Sequence, residues 1–286
     1  MMLAILLGGA PAHAGLETAI EKFLGRQAAL ALAEQFGTDT DPFLTAWVKQ
    51  LGDRVAAVSP RKDVRYRVAV IGMDEPNALA LPGGYIFVTR GLLEFVQDDD
   101  ELAAIIAHEV GHVVGRHGMR HIKFQLLASL LISGVQSQAG DLAATAAGLV
   151  DALMALQRSR HDELAADRMG VEYAARAGYD PNGLLSFFNK IRETKKRSWF
   201  ERLFATHPPA EVRIERAKGS TLLADPPVEI LIAIGDRLAA EGRYNRAIEK
   251  YRAAAARHPG EATVTAKLTA ALAVQGKDAN GTRISG

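Results

Sequence analysis

Ala107-His108-Glu109-Val110-Gly111-His112 is the stretch from which the rest of the chain is read. Just upstream, Asp98-Asp99-Asp100-Glu101 has the acidic character favoured at the positive end of a helix dipole. Leu102, Ile105, Ile106, Val110 and Val113 then recur at helical spacing. On that helix His108 and His112 stand four residues apart, so both imidazoles leave one face, one turn apart. Two neutral imidazoles held this way suit Zn²⁺. Glu109 lies beside that stripe and not on it. It is placed to take the proton of the water such a metal would activate, which makes it a candidate general base and not a ligand. The competing reading is a surface helix that carries these residues by coincidence. The apolar setting counts against it, because unpaired imidazoles there are costly, and so does the presence of a third ligand downstream.

That ligand is in Ser159-Arg160-His161-Asp162-Glu163-Leu164-Ala165-Ala166-Asp167-Arg168. A hydrolytic zinc site needs three protein ligands and one open position, and Glu163 can complete the set. Asp167, one turn on, faces the same way and can accept the remaining ring N–H of a ligating histidine. The alternative is an ordinary charged helix face. Thr206-His207-Pro208-Pro209 puts a histidine on a rigid turn into a helix; taken alone it is a helix-start histidine and nothing more. His117 and His121 are also four apart, but no acidic partner is evident for them, so they are expected as solvated helix-end residues.

Composition narrows the chemistry. The chain has 286 residues, 48% of them hydrophobic, enough for one large domain or two smaller ones. Its formal net charge of +1 makes no case for nucleic acid or for an anionic membrane surface. There is no cysteine, which excludes disulfides, thiolate ligands and a cysteine nucleophile, so a metal site must use histidine and carboxylate.

Met1 to Ala14 reads as a secretory leader, an apolar run from Leu3 to Leu7 followed by Ala12-His13-Ala14, although no Lys or Arg precedes the run. Leu16 to Phe36 has helical spacing in Leu16, Ile20, Phe23 and Leu24. Asp41-Pro42 starts a second helix with an apolar face of Phe43, Leu44, Trp47, Val48 and Leu51. Both are expected to face the core. Val64 to Ile71 alternates as a strand. Asn77 to Leu81 and Tyr85 to Val88, joined by Pro82-Gly83-Gly84, read as a hairpin. It is either plain scaffold or an open sheet edge on which an extended peptide can pair. The apolar runs Leu126–Val135 and Leu142–Leu156 are too short and too interrupted for comfortable membrane spans, and a buried helical hairpin over the site is the expectation. Asp180-Pro181 starts another helix, with Leu184, Leu185, Phe187 and Phe188 inward. Beyond Asp225-Pro226-Pro227, the spacing of Leu231, Ile234, Gly235, Leu238, Gly242, Tyr244, Ala247, Tyr251, Ala254 and Pro259 is that of a tetratricopeptide hairpin, with a partial second copy from Ala262. So few repeats cannot stand alone and should pack on the body.

His-Glu-Val-Gly-His, Ser-Arg-x-x-Glu-x-x-Ala-Asp-Arg and Thr-His-Pro-Pro, in this order, resemble the zinc metallopeptidases of the CAAX prenyl endopeptidase and HtpX type. The likeness covers about Leu16 to Lys218. The leader and helical tail look most like the soluble periplasmic branch typified by the β-barrel assembly-enhancing protease. The resemblance implies His108, His112 and Glu163 as zinc ligands, Glu109 as catalytic base, Asp167 behind them, and Asn77-Ala78 on the substrate-side strand. It also implies that His207 lies near the metal, to stabilise an oxyanion or to close the open position. The expected fold is α+β: a mostly helical zincin-type domain with a small sheet (15–224) after a leader (1–14), then a short tetratricopeptide-like tail (225–286). The expected function is a zinc endopeptidase with one Zn²⁺ per chain, cutting misfolded or unassembled envelope polypeptides as a periplasmic or otherwise exported soluble protein. Envelope assembly partners would bind through the tail, with no nucleic acid and no membrane span. The rival is a chaperone or assembly factor that holds outer-membrane clients on its tail with little proteolysis.

Overall fold

The protein is described from a computed structural model covering residues 11–124, 159–194 and 220–276, together with Phe200, Leu203, His207, Arg213 and Glu215. The apolar runs expected to cover the site lie outside the described residues. So do Met1 to Ala10 of the leader, and Thr206, Pro208 and Pro209.

The first helix, α1 (Pro11–Phe36), corrects the expectation drawn from its spacing. Leu16 and Phe23 are 42% and 60% exposed, while Ala28, Ala29 and Leu32 are buried. The helix also carries a buried carboxylate. Glu21 accepts two hydrogen bonds from Arg61, at 2.8 and 3.1 Å, and a third from the Gly83 N–H at 3.2 Å. This ion pair lies on the same inward face as Leu24, Ala28 and Leu32, and Leu16 and Phe23 are left outside it. Helix α2 (Pro42–Val58) starts where the Asp41 carboxylate accepts from the N–H groups of Phe43 and Leu44, with Pro42 at the first position. Val48, Leu51 and Val55 are buried, but Phe43 in the first turn is 83% exposed, against the expectation.

Three strands follow: β1 (Arg67–Ile71), β2 (Ala78–Leu81) and β3 (Tyr85–Thr89), with a 3₁₀ turn over Pro82–Gly84. β3 is central, parallel to β1 and antiparallel to β2, so β2 is an edge strand. Alternation distributes the side chains. Ala78, Ala80, Ile86 and Val88 face the main core, whereas Leu79, Leu81 and Phe87 face a smaller core with Ala28 and Leu32 of α1. The sheet is thus sandwiched between α1 and the helices that carry the site.

Those helices are α4 (Asp99–Val114), which follows the short α3 (Arg90–Phe95), then α5 (Arg160–Arg176) and α6 (Gly183–Glu193). Asp98 caps α4 by accepting from the Glu101 N–H, and Glu101 reaches back to accept from the Gln97 N–H. Ser159 caps α5 by accepting from the Asp162 N–H. The fold is mostly helical with one small three-stranded sheet, an α+β arrangement. Among the described residues, no helix is long and apolar enough to cross a membrane.

After the short α7 (Thr221–Ala224), α8 (Val228–Ala240) and α9 (Tyr244–Arg257) pack as a pair, and α10 (Ala262–Val274) packs on α9. Ile234, Leu238, Ala247, Ile248, Tyr251 and Leu272 form their own small core. The three-helix tail is tied to the body by buried charge. Arg237 donates to Asp100 at the start of α4 at 2.5 Å, and to the Gly178 carbonyl at 2.7 Å.

Candidate active site

Helix periodicity does the first part of the assembly. His108 and His112, one turn apart on α4, point their Nε2 atoms at one another across 2.9 Å. Packing does the second part. Helix α5 crosses α4 closely because Gly170 has no side chain: a Cβ there would lie 2.9 Å from the His108 backbone nitrogen. That proximity brings Glu163 to the imidazoles. Its Oε1 lies 3.2 Å from His112 Nε2, and its Oε2 lies 3.6 Å from His108 Nε2. His207 comes from a distant segment and places its Nδ1 3.0 Å from Glu163 Oε2 and 3.4 Å from His108 Nε2. Its Nε2 is 3.6 Å from Glu109 Oε1. All of these side chains are buried.

Asp167 sits behind His108, with Oδ1 2.9 Å from Nδ1. Burial pushes the Asp167 carboxyl up, but Arg213 and the His108 imidazole outweigh it and hold the group at about 2. An ionised carboxylate only accepts, so His108 carries its proton on Nδ1 and turns the Nε2 lone pair inward. Burial likewise pushes Glu163 up, and the His207, His112 and Arg213 side chains override it, holding the carboxyl far below its usual range. Arg213 is buried itself. It donates to Asp167 from Nε at 2.8 Å and from Nη2 at 2.6 Å, and its Nη1 lies 3.1 Å from Glu163 Oε2.

Does this set fit a metal? Three buried carboxylates, Glu109, Glu163 and Asp167, surround the imidazoles, and Arg213 is the one buried guanidinium among the described residues there. Among the described residues the buried carboxylates of the cluster thus outnumber its guanidinium, a setting that suits a cation. Glu163 Oε1 is also buried, with His112 Nε2 facing it at 3.2 Å. Donor atoms from His108, Glu109, His112 and His207 all lie within 4.8 Å of one another. Glu163 suits a ligand's place better than Glu109, whose Oε1 is 4.0 Å from His108 Nε2. Imidazole nitrogens with carboxylate oxygens are the donors zinc takes in hydrolytic sites.

Beside the cluster is a partly open cleft, with Ala78 of the edge strand, Ile105, Leu184, Phe187, Phe188 and Leu203 on its walls. Asn77, next to Ala78, is fully buried, and among the described residues its Nδ2 finds no hydrogen-bond acceptor.

The profile of peptidase family M48 matches residues 42–221, more than half of the chain. The chain belongs to peptidase family M48. It therefore carries a peptidase domain of metal-dependent type, and the M48 match contains every residue of the cluster. Similar proteins include the β-barrel assembly-enhancing protease of Yersinia pestis, 28% identical over 191 residues, covering 62% of this chain and 39% of that protein. The mitochondrial metalloendopeptidase OMA1 of Schizosaccharomyces pombe is 31% identical over 173 residues, 60% of this chain and 51% of that one. A putative β-barrel assembly-enhancing protease of Vibrio cholerae is 33% identical over 195 residues, with 62% and 40% covered. The chain thus spans about two fifths to one half of the length of the curated relatives it matches.

The M48 domain brings together every residue singled out from sequence around α4 and α5. It also corrects one expectation and adds a residue. His117 is buried, not solvated, with Nδ1 2.6 Å from His112 Nδ1, and it has an acidic neighbour in Asp162, whose Oδ1 is 3.6 Å from His117 Nε2. Arg213 was not singled out from sequence at all. It stands six residues after His207, and nothing in that spacing marks it as a partner of Asp167.

Proposed function

We propose that this chain is a zinc-dependent endopeptidase acting on exported polypeptides. The observation that carries the reading is the convergence of buried imidazole nitrogens and carboxylate oxygens, with Asp167 behind His108 and Glu163 against His112. On this reading His108, His112 and Glu163 hold one Zn²⁺. When bound, the ion supplies Lewis acidity and makes a water acidic enough to lose its proton near neutral pH. Glu109 takes that proton and then delivers one to the leaving amine. Asp167 holds the proton on His108 Nδ1 and fixes its tautomer. His207 reaches both Glu109 and Glu163, so it either polarises the substrate carbonyl or occupies the position that substrate must take. The edge position of β2 in the sheet and the buried Asn77 amide favour an extended peptide laid along Asn77-Ala78, with an apolar side chain in the cleft.

On this reading the peptidase unit runs over 15–224 and a tetratricopeptide-like tail over 225–286. The names of the relatives, β-barrel assembly-enhancing proteases and mitochondrial metalloendopeptidases, support polypeptide clients. Met1 to Ala14, with its apolar run and Ala12-His13-Ala14, supports export to an envelope compartment, where the tail would hold assembly partners. The test is casein digestion alongside metal analysis. Glu109→Gln should keep about one zinc per chain and lose at least about a hundredfold in cleavage, the usual contribution of a general base. Undiminished cleavage by that variant, or activity indifferent to chelation, would sink the reading.

A further inference from the structure

His117 and Asp162 have no part in the reading above, yet they are built into its floor. His117 starts the helix over 117–124 after Val114, packs against the back of His112 and is buried. The two rings meet edge to face, with centroids 4.8 Å apart. Their Nδ1 atoms are 2.6 Å apart, so one carries a hydrogen and the other accepts it. The fit leaves no slack: a Cβ on Gly115 would stand 2.1 Å from His117 Nε2. On the far side, Asp162 Oδ1 lies 3.6 Å from that same Nε2 and 3.4 Å from Arg120 Nη1. Asp162 is in the first turn of α5, one residue before Glu163.

We propose that His117, backed by Asp162, is the positioning residue for His112: it accepts the His112 Nδ1 hydrogen and so leaves the Nε2 lone pair facing the metal. The proton order follows from the ends of the chain. At 3.6 Å Asp162 is beyond direct hydrogen-bond distance, and it favours the hydrogen of His117 on Nε2 through the charge of a nearby carboxylate. His117 Nδ1 is then a bare acceptor, and His112 must donate from its own Nδ1. The far nitrogen of His112 is left without a hydrogen, facing Glu163 Oε1 at 3.2 Å. The two ligating histidines are thus held by parallel devices, His108 by Asp167 directly and His112 by Asp162 through a second imidazole.

The inference rests on the zinc reading, and the experiment separates the two. Zinc affinity of the full chain is measured by competition with a chromophoric chelator for the parent, His117→Phe, His117→Asn and Asp162→Ala, and the visible spectrum of each Co²⁺-substituted protein is recorded. Asparagine keeps an acceptor oxygen near the place of Nδ1, and phenylalanine fills the space without one. His117→Phe should bind zinc about 10- to 100-fold more weakly, with a shifted cobalt spectrum, while His117→Asn stays within about threefold of the parent. Asp162→Ala, at a partly exposed position, should show a smaller loss and covers the case in which His117→Phe does not fold. Parent-like affinity in both His117→Phe and Asp162→Ala overturns the proposal, as does a His117→Asn variant no better than His117→Phe, which would make the role one of packing. A parent that binds no zinc sinks the zinc reading and this inference with it.

Discussion

Arg213 is buried against three groups at once. Its guanidinium pairs with Asp167 and Glu163 and lies over the Phe188 ring, 4.5 Å from the centroid. Removing one partner of a buried charged set leaves the others uncompensated, so Arg213→Met should cost the metal-free protein about 3–5 kcal/mol. Zinc would restore part of that balance, so the loss in urea unfolding should shrink at saturating zinc. An equal loss with and without zinc would reduce Arg213 to packing on Phe188. His207 gives the second prediction at this scale. Its ring stands among the proposed ligand atoms, 3.0 Å from Glu163 Oε2 and 3.4 Å from His108 Nε2. On the second of the two proposed roles, a group so placed would compete with substrate for the open position. His207→Ala should therefore raise basal cleavage of an unstructured protein at matched zinc content. Slower cleavage would assign His207 to the oxyanion instead. The pairing of His108 with His112, and of Glu163 with Asp167, was legible because helical periodicity puts each pair on one face; Glu109 and the meeting of the two helices were expected from the chemistry of a zinc site. Arg213 and the burial of His117 were not, because they depend on how separate segments come to rest against one another.

The crossing of α4 and α5 is where element geometry decides the site. Glu163 reaches His112 only because the helices approach closely at Gly170, against the His108 backbone. In an exposed helix, replacing glycine by alanine stabilises by about 1 kcal/mol. Here the added methyl has a backbone neighbour that cannot swing aside, so Gly170→Ala should instead destabilise by about 1–3 kcal/mol and weaken zinc binding. Urea unfolding and chelator competition on the same variant check both, and a gain in stability would mean that the helices can separate without cost. The element scale also shows where periodicity misleads. The hairpin over Asn77 to Val88 was readable because its turn residues and alternation agree. The inward face of α1 was readable only in part: Leu24 packs on the small core, but the same face also holds the buried Glu21–Arg61 pair, while Leu16 and Phe23 are exposed.

At the scale of the whole molecule, the acidic run that opens α4 has a second duty. Read from sequence, Asp98 to Glu101 complements a helix dipole. In the fold, Asp100 is buried and receives Arg237 of α8 at 2.5 Å, Arg246 of α9 at 2.8 Å and the Asp180 N–H at 2.9 Å. The tail is thereby fastened to the start of the helix that carries His108 and His112. Burial raises the Asp100 carboxyl above its ordinary value, and Arg237 is the first group to pull it back. The sign follows from linkage: a carboxyl raised in the folded state binds its proton more tightly there than in the unfolded chain. Its contribution to stability is therefore complete below the unfolded value, near 4, and is lost as pH rises through the folded one. Arg237→Met removes the main opposing charge and lifts the folded value further. The variant should lose about 3 kcal/mol at pH 7, and the deficit should narrow as pH falls toward about 4, where Asp100 is protonated and needs no partner. Asp100→Asn should reproduce the low-pH behaviour at pH 7 and make Arg237→Met much less costly in the double variant. Unfolding curves at the two pH values test this directly. A deficit for Arg237→Met that does not change with pH and is undiminished in the Asp100→Asn background would mean that the tail is held by its apolar contacts and not by this ion pair.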